Sequence, residues 1–86
     1  MGKMEHQNIS SSIKDVNRVL LEKGYELIDV EEGFFKGTRL VYEGYPNNER
    51  IYVSKIDSRE CALEMKDKNR LSSIISSIYF PHGISL

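Results

Sequence analysis

Glu60-Cys61-Ala62-Leu63-Glu64-Met65-Lys66 is the stretch on which the fold turns. Read as a strand it alternates: Cys61, Leu63 and Met65 point one way, and Glu60, Ala62, Glu64 and Lys66 the other. Read as a helix it brings Ala62 and Met65 together. That reading leaves Lys66-Asp67-Lys68-Asn69-Arg70, over a full turn, with no apolar anchor. The alternation favours the strand, although Glu, Ala, Leu and Met lean toward helix in propensity.

Working outward, the next segment reads as a helix from about Asn69 to Tyr79, with Leu71, Ile74, Ile75 and Ile78 as its apolar stripe and Pro81 and Gly83 to end it. Upstream, Asp57-Ser58-Arg59 is a turn and 50–56 a strand. Pro46-Asn47-Asn48-Glu49 is turn chemistry, with proline fixing φ and asparagine tolerating positive φ. Between Phe34 and Tyr45, Thr38, Leu40 and Tyr42 share one strand face, and Arg39, Val41 and Glu43 the other. The strand before it, 25–32, breaks its alternation at Leu27-Ile28, which a bulge explains.

At the other end, Ile9, Ile13, Val16 and Leu20 fall four, three and four apart, one face of a helix over 10–23. Ser12 and Asp15 stand in a capping arrangement, and Gly24 supplies the left-handed stop, with Tyr25 placed to fold back onto Leu20. Residues 1–9 read as a polar, mobile tail, 10–80 as a single domain and 81–86 as a short C-terminal tail. The expected fold is therefore α+β: a four-stranded antiparallel meander with an N-terminal and a C-terminal helix packed on one face, in the order α-β-β-β-β-α. If 60–66 were helical the order would shorten to α-β-β-β-α. The helix–strands–helix order resembles the double-stranded RNA-binding domain in topology alone. The proline–histidine loop and lysine-rich start of the last helix of such domains are not in this sequence, and four strands are read where they have three.

Composition narrows function more by exclusion than by assignment. Of 86 residues, 40% are hydrophobic and 29% charged, a globular mix, and the net charge of −1 gives no general affinity for nucleic acid or anionic membranes. One cysteine, Cys61, rules out an internal disulfide, and no apolar run approaches a membrane span, so a cytoplasmic protein with no membrane partner is expected. His6 and His82 lie near the termini, and a thiol at the inward position of Cys61 behaves as a small hydrophobe. Zinc, calcium, dinucleotide and phosphate-loop spacings are all missing. No catalytic residue, metal or cofactor is implied.

Four features point to binding. The last helix carries Ser72, Ser73, Ser76 and Ser77 beside its apolar stripe, small uncharged groups where Glu, Lys or Arg propagate helix better. Such a face allows a protein partner, or a second copy of the chain, to approach closely. Lys66, Lys68 and Arg70 open the same helix, with Arg59 in the preceding turn, a candidate contact for an anion or nucleic acid at a helix N-terminus. Phe34-Phe35-Lys36-Gly37-Thr38-Arg39 sets aromatics beside bases, as stacking surfaces for single strands do. The sheet face bearing Arg39, Val41, Glu43, Ala62 and Glu64 is half apolar, a wet or a docking surface. The acidic residues Glu26, Asp29, Glu31 and Glu32 read as a solvated rim. The expectation is a small non-enzymatic protein-interaction module, homodimerisation included, with nucleic-acid binding as the alternative.

Overall fold

The computed structural model describes residues 3–32, 37–44 and 48–80. It holds two helices and one antiparallel sheet of five strands: β1 (Glu5–Ile9), α1 (Ile13–Glu22), β2 (Glu26–Glu32), β3 (Thr38–Gly44), β4 (Glu49–Asp57), β5 (Glu60–Met65) and α2 (Lys68–Tyr79). Spatial order is β1-β5-β4-β3-β2, so the last four strands form the expected meander and β1 is added at its far side.

The fifth strand corrects the expected four. It comes from the stretch read as a tail, and Ile9, counted above on the helix face, belongs to it. Of the five residues in β1 only Ile9 is buried, so the segment carries no apolar alternation to betray it. What holds it is the ladder to β5, from Glu5 opposite Met65 to Ile9 opposite Cys61. An exposed strand needs only backbone partners and one inward anchor.

Helix α1 is shorter than the expected 10–23, beginning only after its Ser12 cap, and it stops as its sequence directs. Ser12 Oγ accepts from the Asp15 amide at 3.2 Å. Gly24 has φ +93°. The Tyr25 amide returns to the Leu20 carbonyl at 3.0 Å and the Gly24 amide to Leu21 at 3.1 Å, the paired bonds of a left-handed helix stop. The disputed stretch is a strand, with Cys61, Leu63 and Met65 buried. In β2 the register shifts between Leu27 and Asp29, a bulge at the broken alternation.

Register places Ile9, Tyr42, Ile51, Val53, Cys61, Leu63 and Met65 on one sheet face, where they form a single core with Val16, Val19, Leu20, Leu71, Ile74, Ile75 and Ile78 of the helices. The Tyr42 hydroxyl donates to Asn17 Oδ1, tying β3 to α1. At the other end the Ser10 amide donates to the Tyr79 hydroxyl at 3.1 Å, tying the exit of β1 to the last turn of α2. The helices lie chiefly over β4, β5 and β1, and β2 is left beyond their cover. Among the described residues, no helix is long and apolar enough to cross a membrane.

Candidate interaction surfaces

The open face of the sheet is organised around Arg39. Its guanidinium meets Glu31 Oε1 at 2.7 Å, lies 3.8 Å from Glu64 Oε1 and sits over the Tyr52 ring at 4.7 Å. Hydrogen bonding to Glu31 raises the Arg39 pKa further above its usual value. His6 extends the row, with Nδ1 3.9 Å from Glu64 Oε2 and Nε2 2.8 Å from Asn8 Oδ1. The face read from the sequence as Arg39, Val41, Glu43, Ala62 and Glu64 is assembled, since Val41 lies opposite Tyr52, Glu43 opposite Arg50 and Ala62 opposite Ser54. Val41 and Ala62 are buried there, so the apolar half is already covered and what meets water is paired charge. A shallow depression of about 690 Å³ lies between this face, the β3–β4 turn and the start of α2, with cations and carboxylates mixed along its wall.

The basic cluster does not come together. Arg59 caps the β4–β5 hairpin, whereas Lys66, Lys68 and Arg70 lie at the opposite end of β5, about 20 Å away at ~3.3 Å per residue. Arg70 Nε is engaged by Glu49 Oε1 at 3.2 Å. Asp67 caps α2, its Oδ1 accepting from the Arg70 amide at 3.0 Å, so a carboxylate already occupies the helix N-terminus. The serine row is present as a surface: Ser72, Ser73 and Ser76 are exposed and Ser77 half-buried. Of the aromatic–basic stretch, Phe34, Phe35 and Lys36 lie outside the described residues, as does His82.

Cys61 is wholly buried on the core face, and burial pushes its thiol up, with neighbouring Lys55 opposing. A thiol raised in this way is a poor nucleophile. Among the described residues, no group of three His, Cys, Asp or Glu side chains converges on a metal position.

Sequence reasoning placed a strand over 25–32 at the start of the meander, and β2 is there, at the edge of the sheet; it did not single out the apolar side chains that this edge leaves exposed. Six of its seven residues are exposed, including Leu27 at 44%, Ile28 at 40% and Val30 at 50%. By register, Leu27 stands opposite Tyr42 and Val30 opposite Leu40, on the helix side of the sheet, where the core runs out past the helices. Glu26, Asp29 and Glu31 stand opposite Glu43, Val41 and Arg39, on the open side. The signal was visible as two adjacent apolar residues in an acidic run. The meander order already puts this strand at an edge; how far the helices reach over it is not written in its local spacing.

The chain matches no protein-family model, no curated protein and no solved structure.

Proposed function

We propose that the chain is a small non-enzymatic protein-interaction module that receives its partner along the outer edge of β2. The single observation that carries this reading is the coincidence of three exposed apolar side chains, Leu27, Ile28 and Val30, with a strand edge that, among the described residues, pairs with no other strand. Edge strands of soluble proteins are ordinarily shortened, covered or made polar, because a free ladder templates pairing with another chain. Completing the burial of three half-covered side chains yields on the order of 1 kcal/mol each, too little alone against association costs of roughly 4–15 kcal/mol. Backbone hydrogen bonds along the edge supply a second term, so strand addition is the favoured mode of contact.

The nucleic-acid alternative has less behind it. Arg59 stands apart from the other bases, and Arg70 and the α2 N-terminus are already matched with carboxylates. A cytoplasmic setting belongs to the same reading, since a chain with one cysteine has no internal disulfide to form.

The test is affinity purification from the native host with the wild-type chain and with Leu27→Lys/Val30→Lys, both confirmed folded by circular dichroism. Proteins that co-elute with the wild type and are absent with the variant support the edge. An identical set from both rejects it. Retardation of DNA or RNA at low salt, lost as salt rises, favours the alternative.

A further inference from the structure

The docking partner of the β2 edge has a chemistry that the edge itself dictates, an argument that rests on the edge reading above. We infer that the occupant is an extended segment of another protein in which lysine or arginine alternates with apolar residues. Between Glu26 and Glu32 there are four acids and no base. Among the described residues Glu31 alone of these is paired, through Arg39, while Glu26, Asp29 and Glu32 make no ion pair. Glu26 even stands opposite another acid, Glu43, which Arg50 draws away at 3.5 Å.

The two faces of the edge differ. Glu26, Asp29 and Glu31 lie on the open side, and Leu27, Val30 and, at the end of the strand, Glu32 on the helix side. An incoming strand alternates its side chains in the same way. Bases on its open side would stand beside Asp29 and its neighbours, and apolar residues on its other side would extend the core past Leu27 and Val30. Opposite charges across a strand pair stabilise and like charges destabilise.

This argues against a second copy. Pairing β2 with β2 sets two acidic rows against each other. The other edge, β1, offers Glu5, His6, Gln7, Asn8 and Ile9, with neither Lys nor Arg. The Val30 amide donates to the neighbouring Asp29 carboxylate at 2.8 Å. That bond occupies a strand amide until a partner carbonyl replaces it, which would release the Asp29 carboxylate to meet a base.

The experiment titrates the full chain against three fluorescent synthetic peptides. One alternates lysine with valine, one alternates glutamate with valine, and one is the lysine peptide with alternate backbone amides methylated. Anisotropy gives the affinities, and amide chemical shifts of the labelled protein give the location. The expected result is that the lysine peptide binds at least about tenfold more tightly than the glutamate peptide. Shift changes should concentrate in 26–32, the methylated peptide should fail, and Glu26→Gln/Asp29→Asn, which removes the open-side acids that make no ion pair among the described residues, should abolish the preference. If both charged peptides bind β2 equally, or the glutamate peptide binds better, the basic partner is refuted while edge docking stands. Concentration-dependent shifts in 26–32 without peptide would assign the edge to a second copy and overturn the inference. If no peptide perturbs 26–32, or methylation leaves binding unchanged, the edge reading falls with it.

Discussion

The Tyr42 hydroxyl, on a side chain with no solvent exposure, donates to Asn17 Oδ1 at 2.5 Å across the helix–sheet interface. Desolvation pushes this phenol up to about 12 from an ordinary value of 10.0. A folded-state pKa above the unfolded one means that the unfolded chain loses its proton first as pH rises. The associated stability is therefore complete below pH 10, declines between pH 10 and about 12, and is lost above that range. The expected loss is on the order of 2–3 kcal/mol. Urea titrations across that range should show it, and Tyr42→Phe should flatten the decline. At neutral pH, Asn17→Ala leaves a buried hydroxyl unmatched and should cost about 1–3 kcal/mol.

Much of this packing is legible in the sequence because it is written in local spacing. Ser12 and Gly24 bound α1, and Leu71, Ile74, Ile75 and Ile78 recur at the helical period. Cys61, Leu63 and Met65 alternate at the strand period and are buried as that implies. Two features escape for one reason. Ile9 sits at helical distance from Ile13 and Val16, yet it is anchored opposite Cys61, 52 positions along the chain. Likewise, the exposure of Leu27 and Val30 depends on the helices lying chiefly over β4, β5 and β1. Long-range placement decides both, and local spacing carries no record of it.

The role of β1 has a direct consequence for truncation. Ile9 is one of the largest fully buried side chains, and removing its outer carbons leaves a cavity beneath α2. Ile9→Ala should cost about 2–5 kcal/mol, measured by thermal or urea unfolding. Deleting residues 1–9 should cost more and expose β5 as a new edge, seen as concentration-dependent aggregation. A truncated chain as stable as the full one would contradict a five-stranded sheet.

Gly44 is required by close approach. A Cβ at this position would lie 2.5 Å from Cε2 and 2.8 Å from Cζ of the Tyr25 ring. Tyr25 is itself buried in the core cluster and has little room to retreat. Gly44→Ala should therefore destabilise the fold by about 1–3 kcal/mol despite the better strand geometry of alanine. Pairing the change with Tyr25→Leu should recover part of the loss, and a double-mutant cycle in urea reads the coupling.

The serine row of α2 provides the sharpest contrast with the β2 edge. Ser72, Ser73 and Ser76 are exposed and uncharged, so by themselves they offer close approach but little area that gains by leaving water, the exposed Tyr79 and Phe80 at the end of the helix apart. Glutamate is the better helix former, although at Ser76, in the last turn of α2, its charge opposes the helix dipole. The two effects nearly cancel, and Ser73→Glu/Ser76→Glu should change stability by no more than a few tenths of a kcal/mol. If partners dock on β2, the elution volume and the affinity for a β2 ligand should also stay as they are, since both glutamates lie on a helix placed toward β5 and β1. A wild-type dimer that becomes a monomer on this substitution, with its circular dichroism unaltered, would instead make α2 a self-association face. The physical cause would then be desolvation: an interface closed over small hydroxyls tolerates serine and rejects a buried carboxylate.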